Sequence, residues 1–111
     1  MNRAEKIAGL NDELRRNIWL PGPKNRVMLT SGLAADPQLA ADAVAAVRAY
    51  DTFNKDNDPY QEHDMGFLTI RQTKIFWKID YFDNDLKYGS EDPSDPEQTT
   101  RVLTIMLSSE Y

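Results

Sequence analysis

An α+β domain, with two helices packed on a mainly antiparallel sheet of about four strands in the order α-β-α-β-β-β, is the fold the sequence predicts. Apolar residues recur at helical spacing near the N-terminus, an aspartate-proline pair opens an alanine-rich helical stretch, and the middle of the chain alternates strictly between two faces. At 111 residues, 41% hydrophobic and 28% charged, the chain can build one core but not two, so a single domain over residues 1–111 is expected.

Ile7, Leu10, Leu14 and Ile18 lie three and four residues apart and predict a helix from about Arg3 to Trp19. Pro21-Gly22-Pro23 ends it, because proline lacks the backbone donor a continuing helix needs. Val27, Met28 and Leu29, within Arg26 to Thr30, form a short apolar run that reads as a buried strand before the Ser31-Gly32 break. At Asp36-Pro37 the carboxylate can cap free amides while proline occupies the first turn, and the helix that follows runs to about Thr52 with Leu39, Ala43, Val47 and Tyr50 on one face. Phe53 to Asp64 is polar and broken by Pro59, a loop near the length at which loops are functional or mobile.

Gly66–Ile70 and Lys74–Phe82 then read as two strands joined by a tight turn near Arg71 to Thr73. Ile75, Trp77, Ile79 and Tyr81 share one face of the second; Phe76, Lys78, Asp80 and Phe82 share the other. If helices cover one face only, Phe76 and Phe82 are exposed anchors, and if both are covered they are core. A second loop, Asp83 to Gln98, carries Asp92-Pro93 and Asp95-Pro96, turn signals because the residue before proline avoids helix. Arg101 to Leu107 is assigned as a strand with Leu103, Ile105 and Leu107 inward, a helix through Val102, Leu103, Met106 and Glu110 being the alternative.

Charge is unevenly spread. Asp51–Asp64 and Asp80–Glu97 hold twelve acids against Lys55 and Lys87, a sum of −10, while the other 79 residues sum to +5, for −5 overall. The one basic patch, Arg3, Lys6, Arg15 and Arg16, is diluted by Glu5, Asp12 and Glu13, so direct nucleic-acid binding is not expected and a basic groove on another protein is the better ligand. The absence of cysteine removes disulfide scaffolds, thiolate zinc sites and cysteine nucleophiles, and suits a reducing compartment. Met1–Arg16 has charges of both signs and no apolar run, so no signal peptide, no membrane association and a cytoplasmic location are expected.

Asn54-Lys55-Asp56-Asn57-Asp58 spaces its oxygen donors as a calcium loop does, but the EF-hand positions for glycine and bidentate glutamate fall on Pro59 and Met65. A solvated turn built on Asx hydrogen bonds is the alternative. Glu62-His63-Asp64 holds the only histidine between two carboxylates, which suits a metal ligand or an oriented general base, although adjacent side chains on an extended segment diverge. Lys78 and Asp80 share a strand face within reach of an ion pair, and Asp80 could join His63 if the loop folds over the hairpin. No hydrolase glycine elbow and no glycine-rich phosphate loop is present, the glycines being scattered at Gly9, Gly22, Gly32, Gly66 and Gly89.

Four stretches, Arg26-Val27-Met28-Leu29-Thr30 with Gly32, Asn57-Asp58-Pro59-Tyr60 leading to Glu62-His63-Asp64 and Gly66, Phe76-Trp77-Lys78-Ile79-Asp80-Tyr81, and Thr100-Arg101-Val102-Leu103-Thr104-Ile105-Met106-Leu107, carry a resemblance to a known family. It is a family of small bacterial proteins of unknown function, common in proteobacteria and often encoded on plasmids and other mobile elements. The resemblance runs from about Arg3 to Tyr111 and assigns no residue a role. It implies an accessory protein of mobile DNA, a setting in which inhibitors of host defence are frequent.

The expected function is a non-enzymatic, acidic protein-binding module without a cofactor, an inhibitor of anti-CRISPR or antirestriction type that presents carboxylates to a basic nucleic-acid groove of its target. Asp56, Asp58, Phe82, Asp83, Asp85, Tyr88, Asp92 and Asp95 are the expected partner-binding residues. The alternative is a small metal-dependent hydrolase or nuclease using Glu62, His63, Asp64 and Asp80; a structural role in plasmid maintenance is a third.

Overall fold

The computed structural model describes all 111 residues. Helix α1 spans Arg3–Arg16, strand β1 Asn25–Leu29, the short α2 Ser31–Ala34 and α3 Pro37–Arg48; β2 (Met65–Ile70), β3 (Thr73–Phe82) and β4 (Thr100–Leu107) follow, and a single 3₁₀ turn, Ser108–Glu110, ends the chain. The strands form one sheet in the order β1-β4-β3-β2. Two of its pairings are antiparallel and the third, β1 with β4, is parallel, so the class is α+β with a mixed sheet.

Asn2 caps α1 by accepting the Glu5 N–H at 2.8 Å. The helix stops at Arg16, short of the expected Trp19, because Asn17 turns its amide back onto the Glu13 carbonyl (2.8 Å) and offers the chain an exit from helical geometry. The buried stripe also differs from expectation: Asn11, not Leu10, joins Ile7, Leu14 and Ile18 in the interior. Asp36 caps α3 through the Leu39 N–H as the sequence predicts. This helix ends at Arg48 instead of Thr52 because the buried Arg15 guanidinium takes the carbonyls of Val47 and Tyr50 at 3.1 and 2.8 Å. A cation there meets both the orphan carbonyls and the negative end of the helix.

All three helices pack on one face of the sheet. Leu14, Ile18, Leu33, Leu39, Ala43 and Val47 meet Ile75, Trp77, Ile79, Leu103 and Ile105, so the alternation along β3 is realised in the predicted register. Gly66 makes room for this core: a Cβ there would stand 2.6 Å from Trp77 Nε1 and from Tyr50 Cζ. The opposite face carries no helix. On it Phe76 is nevertheless only 1% exposed, covered by Phe67 and Tyr111 with ring centroids at 4.5 and 4.6 Å. Phe82 is half-buried.

The expected two helices become three, because the Ser31-Gly32 break opens the short α2, and one strand also needs correction. β1 is an edge strand with Arg26, Met28 and Leu29 exposed, not a buried one, because it pairs on one side only. β4 is a strand, as assigned from the sequence, and not the alternative helix; its unbroken apolar run reflects a place between β1 and β3, where Val102 and Met106 are buried on one face and Leu103 and Ile105 on the other. The hairpin turn consists of Arg71 and Gln72, both left-handed at φ +47° and +70°, the two-residue geometry that matches strand twist.

Candidate functional site

Behind the loop that precedes β2 lies a buried polar network. Asn11 donates to the Glu62 carbonyl (3.0 Å) and the Tyr81 hydroxyl (2.8 Å), and accepts from Arg101 Nε (2.8 Å). Tyr81 in turn donates to Glu62 Oε1 at 2.9 Å, and the Arg101 guanidinium lies 5.2 Å from the Tyr81 ring centre. Burial pushes the Tyr81 phenol well above its ordinary pKa; the hydrogen bond from Asn11 opposes this and the Glu62 carboxylate adds to it. Burial lowers the Arg101 pKa, opposed by the same carboxylate.

His63 sits in front of this network. Its backbone is left-handed (φ +55°), as is that of Gln61 (φ +60°). Nδ1 stands 2.9 Å from Asp12 Oδ1, Nε2 stands 3.7 Å from Asp58 Oδ2, and the ring stacks flat on Phe53 with centroids 3.9 Å apart. Asp12 is also bound by Arg15, and Asp58, 5% exposed, accepts the His63 N–H at 3.0 Å. The carboxylates that flank His63 in space are therefore Asp12 and Asp58, not its neighbours Glu62 and Asp64. A polar cavity of about 550 Å³, walled by Glu5, Asp12, Lys55, Asp58 and Gln61, opens beside the imidazole.

Of the four residues considered for metal chemistry, each takes a different environment. Glu62 turns inward to Tyr81, His63 faces Asp12 and Asp58, and Asp80 pairs with Lys78 on the helix-free face. Asp64 is half-buried, its carboxyl raised above the ordinary range first by burial and then by the charges of Glu62, Asp58 and Asp80. No three His, Asp or Glu side chains converge where they could hold a metal ion. With both ring nitrogens facing carboxylates, His63 brackets the loop to α1. The Asn54–Asp58 segment is a turn in which Asn54 Oδ1 accepts the N–H groups of Asp56 and Asn57.

The expected partner-binding acids divide in two. Asp58, Asp92 and Asp95 build the loops: Asp92 accepts from the Ser94 N–H and hydroxyl (3.1 and 2.6 Å), Asp95 from the Glu97 N–H and the Gln98 amide (2.9 and 2.7 Å). These bonds, led by the Ser94 hydroxyl and the Gln98 amide respectively, hold both carboxyls below their ordinary pKa. Asp83 accepts the Lys87 N–H at 3.0 Å. Asp56 and Asp85 are exposed, as is Glu91, which sequence reasoning counted among the acids but did not single out.

Asp83 also donates its N–H to the Tyr88 carbonyl (2.8 Å), while Ser90 donates to the Tyr81 carbonyl (3.0 Å) and Phe82 bridges Gly89. These bonds pin a turn that extends β3 beyond the sheet. On its returning side Tyr88 is 75% exposed, and Leu86 within the turn is exposed as well. Asp83, Tyr88, Glu91 and Glu97 line a groove of about 430 Å³ at its base. Of the N-terminal basic patch, Arg15 is buried under α3 and Arg3 lies 3.6 Å from Asp92.

These features define a small α+β protein with an acidic turn that exposes an aromatic side chain. The model of a protein family of unknown function (DUF3768) matches residues 29–110, and the chain belongs to that family. The match takes in α2, α3 and β2 to β4, and so the turn and the His63 loop, and leaves α1 outside. No curated protein and no solved structure matches the chain. No helix is long and apolar enough to cross a membrane.

Proposed function

We propose that this protein is a non-enzymatic binding module whose acidic turn docks into a basic, nucleic-acid-binding groove of another protein. The observation that carries this reading is the pinned turn Asp83–Gly89, which holds Tyr88 out into solvent within a rim of carboxylates. Exposed tyrosine is the residue type that anchors interface centres, and a turn ordered beforehand loses little entropy on docking. Asp85, Glu91 and Glu97 supply a field that speeds encounter with a positive cleft. The targets we assign are nucleic-acid-binding complexes of host defence, which would make the protein an inhibitor of anti-CRISPR or antirestriction type. Support for that narrower step is the resemblance to proteins often encoded on mobile elements.

The test is binding kinetics at two ionic strengths against purified RNA-guided effector complexes and restriction endonucleases. Tyr88→Ala is expected to speed dissociation about thirtyfold, the equivalent of about 2 kcal/mol. Asp85→Asn with Glu91→Gln is expected to slow association and flatten its salt dependence. Asp92 and Asp95 are left intact because they accept the loop's own amides, and their replacement would mix a change in loop structure with one in charge. Nucleic acid should compete for the target. Direct binding of DNA by the protein, or wild-type association rates in the double variant, would overturn the reading.

A further inference from the structure

The sheet ends in two unpaired edges, β1 and β2, and they are not alike. β1 contains Arg26 and follows Lys24, charges of the kind that keep edge strands apart. β2 is Met-Gly-Phe-Leu-Thr-Ile, without charge or proline, and pairs with β3 over its whole length without a bulge. Its inner half-set of backbone groups is used. The Asp64 carbonyl accepts the Ile79 N–H at 2.8 Å, and Gly66, Leu68 and Ile70 stand opposite Trp77, Ile75 and Thr73. Antiparallel alternation therefore turns the N–H and C=O of Met65, Phe67 and Thr69 away from β3, and no loop or turn hydrogen bond reaches them. Phe67 is 59% exposed there, on the helix-free face.

We propose that β2 is a self-association edge: it pairs antiparallel with β2 of a second copy about a two-fold axis through Phe67, joining two sheets into one of eight strands. Three features single out a second copy as the occupant. The outward groups set odd-numbered residues against each other, and the register that uses all three on both copies places Phe67 against Phe67 of the partner subunit and Met65 against Thr69 of the partner subunit. On the helix-free face this completes one aromatic row, Phe76, Phe67 and their two symmetry mates, so the exposed rings cover each other.

Charge is also compatible with this pairing. Lys78 lies beside Met65 and Lys74 beside Thr69. The lysines of the joined rows therefore stand three strand spacings apart, about 14 Å, beyond the screening length of about 8–10 Å. At each end Arg71, which is paired with Asp42 in its own copy, faces His63 of the partner subunit and lies diagonal to Asp64 of the partner subunit. The same pairing through β1 would bring two sets of Lys24 and Arg26 together. The proposal does not depend on the acidic turn, which projects from the far end of β3.

Sedimentation equilibrium on the full chain, from low micromolar to several hundred micromolar, tests it. The weight-average mass is expected to rise from 12.7 kDa toward twice that value. Phe67→Lys sets like charges face to face on the axis, and Thr69→Pro deletes an outward N–H that no intramolecular bond uses; both are expected to hold the mass at 12.7 kDa with circular dichroism unchanged. Met28→Lys, on the other edge, is expected to associate like the wild type. In hydrogen exchange, the amides of Met65, Phe67 and Thr69 should gain protection with concentration. A wild type that stays at 12.7 kDa throughout, or a dimer that Met28→Lys breaks and Thr69→Pro does not, would overturn the proposal.

Discussion

Arg101, near the start of the inner strand β4, and Asn11, in the middle of the first helix, are joined by a 2.8 Å hydrogen bond across 90 residues of chain, and both side chains are buried. Asn11 spends its remaining capacity on the Glu62 carbonyl and the Tyr81 hydroxyl, so one amide fastens helix, sheet and loop together. Removing one member of such a set leaves the others desolvated and unmatched, which costs more than the bond itself contributes.

Asn11→Ala is accordingly expected to destabilise the fold by about 2–4 kcal/mol, measured by urea unfolding. Asn11→Leu, which keeps the branched shape without the polar atoms, should cost about as much, because the hydrogen bonds to Arg101, Tyr81 and the Glu62 carbonyl are lost in either variant. A leucine variant as stable as the wild type would show that the interior tolerates an unpartnered Arg101 Nε, the guanidinium keeping its bond to the Pro93 carbonyl.

Asp64→Asn should stabilise the protein at neutral pH. The folded pKa of Asp64 is raised, chiefly by burial, so the folded chain binds this proton more tightly than the unfolded chain does. Stability from this group is therefore present below the carboxylate range and lost as pH rises through it. The melting temperature of the asparagine variant is expected to exceed that of the wild type at neutral pH, with the gain shrinking as pH falls through the carboxylate range. A gain that grows on acidification would contradict the sign.

Gly66→Ala is expected to cost about 1–3 kcal/mol, the usual range for overpacking a core. The added methyl would meet the rings of Trp77 and Tyr50, neither of which is a flexible chain end. Circular dichroism melting checks it, and an unchanged melting temperature would mean the two rings can part.

Gln72→Gly should add about 1 kcal/mol, because a non-glycine residue at φ +70° bears a steric penalty that glycine escapes. Thermal unfolding of this variant is the measurement. Gln72 makes no side-chain hydrogen bond that the change would forfeit, whereas Arg71 pairs with Asp42 and is left alone.

Much of the fold was legible in short-range pattern. Alternation at Ile75, Trp77, Ile79 and Tyr81 places these side chains on the helix-covered face, and Asp36-Pro37 opens α3 where expected. The candidate site was legible only in part. The Asx turns at Asp92 and Asp95 were announced by the prolines after them, yet the same carboxylates were also counted as partner-facing, and a carboxylate that accepts loop amides has little left to offer. Asn11 also left a trace, a polar residue four after Ile7 and three before Leu14 on a helix, which is the mark of a buried polar contact.

By itself, then, the sequence determined the two long helices and the β2–β3 hairpin, which face of β3 looks inward, and where charge is concentrated, because each follows from periodicity or composition within a few residues, whereas the four-residue α2 is too short to leave a period. Only the tertiary structure decided that Asp12 and Asp58 flank His63, that Arg15 closes α3 and that β1 lies parallel at an edge beside β4. Asp12 and His63 are 51 residues apart, and β1 begins 76 residues before its partner register in β4. No local period encodes such pairings. They are settled when separate segments compete to bury the same apolar face, and the polar groups carried in with them must find partners there.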